Sequence, residues 1–192
     1  MADPAIRHMT LAEFLRWEDG TDTRYELIWG VPVAIVPPAG AHGVLCVRLG
    51  VGPDPRLCSR RPCMAHTEAG IVRPDREDAY YVADLAVTCS PYRRGQRFVR
   101  DPILIVEILA PSTERHDRRT KLPVYCDIES VKRSCSSTRK VSTPKILRYV
   151  GDRWITELVQ GRETMIRLSS VDLRVAMVEL YEGIDFDADD AA

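Results

Sequence analysis

The sequence predicts an α/β domain: a central β-sheet flanked by helices, preceded by an N-terminal helix and hairpin and followed by a C-terminal β-meander. Three observations predict it. The run Pro102-Ile103-Leu104-Ile105-Val106-Glu107-Ile108-Leu109 is nearly all apolar, the pattern of a central strand buried on both faces. Cys63 to Val72 and Tyr80 to Thr88 alternate as strands, separated by the polar turn Arg73-Pro74-Asp75-Arg76-Glu77-Asp78. A charged helical stretch, from about Glu114 to Tyr125, follows the central strand.

The remaining elements are read in chain order. Thr10 is a good N-cap for a short amphipathic helix, with Glu13 at the capping-box position and Leu11, Phe14 and Leu15 on one face; it should stop near Gly20. Tyr25 to Ile28 and Val31 to Val36 form a hairpin around Trp29-Gly30, ended by Pro37-Pro38. Ala41 to Leu49 suits a helix, closed by Pro53 and Pro55. Pro111-Ser112-Thr113 breaks the central strand and caps the charged helix, whose last turn Pro123 must distort. Lys145 to Val150, Trp154 to Val159 and Thr164 to Leu168, separated by Gly151-Asp152 and Gln160-Gly161, read as the meander.

One stretch breaks the pattern. From Lys132 to Pro144 the chain runs KRSCSSTRKVSTP, polar and basic, where a strand is due; apolar alternation returns by Ile146. It reads as a basic loop or as a local error of reading frame, which resequencing the coding DNA across those codons decides. Residues 8–184 are expected to form a single domain, and the acidic, small residues Asp185 to Ala192 a disordered tail.

Composition narrows the function classes. At 192 residues and 45% hydrophobic, the chain can bury one substantial core. Its 27 basic and 28 acidic residues nearly cancel, so any nucleic-acid surface must be local. The six cysteines show neither a CxxC pair nor zinc spacing and read as reduced, mostly buried thiols. His42, His66 and His116 lie at no metal-ligand spacing, and no GxxxxGK[ST] or GxGxxG occurs, so zinc, nucleotide hydrolysis and dinucleotide binding lack support. With no signal-like N-terminus and no apolar run approaching roughly 20 residues, the expectation is a cytoplasmic protein without a membrane partner.

The chemistry lies in ionisable residues placed where burial is costly. Glu107 interrupts the apolar central strand, and burying a carboxylate costs several kcal/mol unless a cation or a shifted pKa compensates. Asp84 sits similarly within Tyr81 to Val87, so two carboxylates converge if the strands are neighbours. Such a pair suits Mg²⁺ or Mn²⁺, which polarises a phosphodiester and activates a bound water. Lys121, on the following helix, could face them and stabilise developing negative charge. Plainer readings stand beside these: Asp84 as a hydrogen-bonded strand residue, and Lys121 as part of the solvated helix face Glu114 to Lys121. Arg93, Arg94, Arg97 and Arg100, with Arg115, Arg118 and Arg119, could line a phosphate-binding face or simply be solvated.

The runs Tyr25-Glu26-Leu27-Ile28-Trp29-Gly30, Val82 to Val87, Val106-Glu107-Ile108-Leu109-Ala110-Pro111-Ser112-Thr113 and Asp117 to Lys121, with Tyr125, resemble the Uma family of restriction endonucleases in the PD-(D/E)XK superfamily. The resemblance covers roughly residues 10 to 130. It implies a restriction-endonuclease-like mixed central sheet and Mg²⁺-dependent cleavage of DNA. It also implies Asp84 and Glu107 as metal ligands, the Ile108 carbonyl as a further oxygen, Lys121 as a catalytic lysine moved from strand to helix, and Glu26 as another acidic site residue. His42 would border the site and, with Arg115, Arg118 and Arg119, contact nucleic acid. Enzymes of this kind that cut both strands often work as dimers, so a homodimer is an implied assembly. Three positions depart from the family pattern: Ala83 replaces a proline, Trp29 an aspartate, and Leu109 stands where a strict E-x-K would place lysine. The competing hypothesis is a catalytically inactive nuclease fold serving as a binding or structural module. The two separate on whether Lys121 faces the carboxylates or the solvent.

Overall fold

The computed structural model describes residues 8–35, 40–51, 61–109, 117–131, 133–138, 145–150, 153–158 and 163–184. The expected tail, Pro111-Ser112-Thr113 and Arg115 lie outside them.

Helix α1 (Leu11–Phe14) begins on a complete capping box, with the Thr10 side chain and Glu13 carboxylate each holding the other's backbone N–H. It ends at Leu15 and does not run on to Gly20. Downstream, the Asp19 carboxylate accepts from the Thr21 amide and hydroxyl and from the Tyr25 hydroxyl. That local network competes with helix. Strands β1 (Tyr25–Ile28) and β2 (Val31–Ala34) form the expected hairpin. Trp29 and Gly30 both take positive φ, 53° and 80°, as a two-residue turn of type I′ requires.

Helix α2 (Gly40–Val51) packs Leu45 and Leu49 onto the main sheet. That sheet has six strands in the order β3 (Met64–Ile71), β4 (Tyr81–Thr88), β5 (Pro102–Leu109), β6 (Arg133–Thr138), β7 (Lys145–Val150) and β8 (Arg153–Leu158). Every pairing is antiparallel except β5 with β6, which makes the sheet mixed. The pleat of β5 sends Leu104, Val106 and Ile108 into one core and Ile105 into another on the opposite face. The first core is closed by α2, by strands β9 (Met165–Leu168) and β10 (Leu173–Ala176), and by a C-terminal helix (Met177–Tyr181). The second is closed by Leu122, Val124 and Tyr125 of helix α3 (Leu122–Cys126). The C-terminal helix is α4.

Four expectations are corrected. The segment read as a loop contains β6, because β5 presents a ladder of backbone donors and acceptors that must be satisfied on its second edge whatever side chains the partner carries. The meander is split: β7 and β8 stay in the main sheet, whereas β9 pairs with β10 in a separate two-stranded sheet. The charged helix is a π-helical turn over Asp117–Lys121 followed by α3, and Pro123 falls in the first turn of α3, where its missing N–H costs little. Cys63 and Cys89, expected as thiols, are disulfide-bonded. The β3–β4 register that pairs Met64 with Thr88 brings these flanking residues opposite each other.

Two positions give direct tests of this packing. A Cβ on Gly70 would lie 2.6 Å from the Arg97 carbonyl oxygen and closer still to the Tyr80 hydroxyl. Since Tyr80 donates to that carbonyl and Val99 N–H to Gly70's own, neither neighbour can retreat. Gly70→Ala should therefore cost about 1–3 kcal/mol in urea denaturation. His66 on β3 has a buried Nε2 without a hydrogen-bond partner, and burial lowers its pKa below 6.5. The unfolded chain then takes up the proton first, so stability falls as pH drops below 6.5. Thermal melts between pH 5 and 7 should lose part of that slope in His66→Gln.

Candidate active site

The site forms where β4 and β5 part. Their pairing runs from Thr88 back to Leu85, opposite Val106, and stops. On the other edge, Thr67 pairs with Leu85 and Ala69 with Ala83, but the ladder skips Glu68 and Asp84. Glu68 sits at φ 49°, a left-handed conformation that is costly for a residue with a Cβ. Here β4 changes face: Tyr81 and Ala83 feed the core under α3, whereas Leu85 and Val87 feed the core under α2.

Side chains cap the opened rungs. Asp84 Oδ2 accepts the Ile108 amide at 2.5 Å, and His42 Nε2 lies 3.0 Å from the same oxygen. Glu26 Oε1 accepts the Val82 amide at 2.9 Å, and Lys121 Nζ donates to the Val82 carbonyl at 3.0 Å. Lys121 Nζ is 2.9 Å from Glu26 Oε1 and 3.6 Å from Glu107 Oε1. Glu107 also accepts the Tyr125 hydroxyl at 2.6 Å. Glu26, Glu107 and Lys121 are only 5%, 2% and 8% exposed. The lysine expected on a solvated face is thus buried between carboxylates, delivered there by the π-helical turn that ends at it. Such turns are frequent at functional sites.

The electrostatics agree with the geometry. Burial raises the Tyr125 hydroxyl well above its ordinary pKa, and Glu107, Glu26 and Asp84 add to the rise, so all three carboxylates act on one phenol. Burial pulls the His42 imidazole down, but hydrogen bonds to Asp84 and Cys46 outweigh it and hold the pKa up to about 10. Arg24 binds Glu68 through both carboxylate oxygens and holds its carboxyl below the usual range, with a smaller contribution from His42.

Asp84 and Glu107 offer oxygen donors from neighbouring strands. Among the described residues no group of three or more His, Cys, Asp or Glu side chains could hold a metal. A pair of carboxylates fits an ion that keeps several waters, as Mg²⁺ does, and not a zinc cage. Both contacts of Asp84 among the described residues fall on Oδ2, turning Oδ1 to the opening.

Comparison with known proteins decides the family. The profile of Uma2, described as "Putative restriction endonuclease", matches residues 11–176. The chain belongs to the Uma2 family. An uncharacterized protein of Synechocystis, slr1290, is 26% identical to this Uma2 chain over 185 residues, covering 91% of this chain and 92% of that protein. A crystal structure described as a "putative nuclease belonging to DUF820", from Anabaena variabilis, shares the fold at a TM-score of 0.73 with 19% identity, over 90% of this chain and 97% of that one. The restriction-endonuclease-like mixed α/β architecture expected from the sequence is the one observed.

Of the residues singled out in the Uma2 sequence, the structure brings together Glu26, His42, Asp84, Glu107, Ile108 and Lys121. It is the Ile108 amide that meets Asp84. Arg93, Arg94, Arg97, Arg100 and Arg119 are exposed and apart from this cluster, and Arg97 donates to the Leu15 carbonyl. The Arg118 side chain lies outside the described residues. Sequence reasoning gave no role to Glu68, Cys46 or Tyr125. Only Tyr125 carried a signal, since a tyrosine in the apolar run Leu122 to Cys126 needs a partner for its hydroxyl once buried. No helix among the described residues is long and apolar enough to cross a membrane.

Proposed function

We propose that this Uma2 protein is a metal-dependent endonuclease that hydrolyses DNA phosphodiesters, with Mg²⁺, or Mn²⁺ in its place, held by Asp84 and Glu107. The observation that carries the reading is Lys121: a buried ammonium turned onto the carboxylates, where a solvated helix face would have turned it outward. When bound, the ion supplies Lewis-acid polarisation and a water of lowered pKa. The chain's own residues do the rest. Tyr125 and Lys121 fix Glu107, while His42 and the Ile108 amide fix Asp84. Glu26 holds the Lys121 ammonium beside the opening, where it stabilises negative charge developing on a phosphoryl oxygen. The exposed arginines Arg93, Arg94, Arg100 and Arg119 are assigned to the DNA backbone, which gives register without sequence readout. Cutting both strands calls for two copies of the chain.

The test is cleavage of plasmid and single-stranded DNA with and without Mg²⁺ by the wild type and by Glu107→Ala. Cleavage by the wild type alone, abolished by chelation, is the expected result. Equal cleavage by both removes Glu107 from the mechanism, and cleavage by neither makes the chain a nuclease-fold binding module.

A further inference from the structure

Helix α2 places a second chemical group against the site. His42 and Cys46 lie one turn apart on the same face, and Cys46 Sγ is 3.6 Å from His42 Nδ1. On its other side the ring meets Asp84, with Nε2 3.0 Å from Oδ2. A carboxylate oxygen accepts a hydrogen bond, so Nε2 carries a proton and Nδ1 is the nitrogen turned to sulfur. Thiol, imidazole and carboxylate are thereby chained in the order that activates nucleophilic side chains: a base within reach of the nucleophile and a third group orienting the base.

We propose that Cys46 is a covalent-modification site for soft electrophiles, activated by His42 and linked through it to Asp84. The thiol is half-buried at the margin of the core under α2, so a small reagent can reach it. The chain contains its own reference. Cys126 is free and half-buried too, but it stands beside Asp127, and burial with that carboxylate pushes its pKa up to about 11. Cys63 and Cys89 are joined to each other and do not compete. With a haloacetamide, the Sγ–C bond forms as the carbon–halogen bond breaks, halide leaves, and the thiol proton passes to solvent. The adduct occupies the position of the sulfur against Nδ1, so His42 loses one of the two contacts that hold it on Asp84. The reactivity stands whether or not the chain cuts DNA; only the effect on a metal at Asp84 rests on the proposed function.

The experiment is pulse alkylation of the native full chain with iodoacetamide at neutral pH, read cysteine by cysteine by peptide mass mapping. Cys46 should label at least about tenfold faster than Cys126, the ratio that one unit of thiol pKa gives. His42→Asn should bring Cys46 down toward the Cys126 rate. A rise at Cys126 would reveal unfolding, in which case His42→Gln replaces it in the same assay. Equal labelling of the two cysteines in the wild type, or a Cys46 rate indifferent to His42, overturns the proposal. Calorimetric titration with Mg²⁺ reads the link separately: alkylated protein should bind more weakly than untreated protein. Unchanged affinity after selective labelling would refute the link to Asp84, whereas wild-type protein that binds no Mg²⁺ would count against the proposed function instead.

Discussion

Lys121→Met is expected to destabilise the fold by about 3–5 kcal/mol, the cost of stripping one partner from a buried ionic cluster. Methionine keeps most of the apolar stem, so the loss is chiefly electrostatic. It leaves Glu26 and Glu107, both almost fully buried, as carboxylates without the cation that sits 2.9 and 3.6 Å from them, and it strips the Val82 carbonyl of its donor. For a chain of this length the melting temperature should fall by about 2–4 °C per kcal/mol. Adding Glu26→Gln should recover part of the loss, and a double-mutant cycle should return a coupling energy of about 1–3 kcal/mol. A single-variant loss under about 0.5 kcal/mol, typical of a surface site, would mean that Lys121 is solvated after all.

Glu107→Gln is expected to abolish Mg²⁺-dependent cleavage while the chain stays folded. The amide oxygen can still accept from Tyr125, and Lys121 retains Glu26, so shape and most polar contacts survive while the negative charge is lost. The fall in metal affinity or rate should exceed the 10–100-fold typical of removing a residue that only supports a ligand. Tyr125→Phe marks that lesser effect, because it removes the support and leaves the carboxylate. Calorimetry with Mg²⁺ and plasmid cleavage, run on all three proteins, give the order. A glutamine variant that binds Mg²⁺ as the wild type does would exclude Glu107 as a ligand.

These residues were unequally visible in the sequence. Glu107 was plain, because a carboxylate inside an apolar run announces an unmet cost. Lys121 was hidden by its neighbours: in a stretch of alternating charges nothing local separates the one ammonium that turns inward, and that choice depends on the π-helical turn. The β5 strand was read to the residue because it is buried on both faces, whereas β6 was missed because its place depends on the backbone of β5 and not on its own apolar content. The disulfide and the departure of β9 are matters of pairing between distant segments, which local periodicity cannot encode. The change of face at Glu68 and Asp84 is of the same kind. Each half of β4 alternates properly, but toward different cores.

That opened ladder has a spectroscopic consequence. In an unbroken sheet the amide protons of Val82 and Ile108 would report strand pairing and be blind to chemistry. Here they point at Glu26 and Asp84, so their chemical shifts and exchange rates follow the charge on two site carboxylates. Two backbone positions thus serve as built-in probes of the acidic centre, readable without touching any side chain within it.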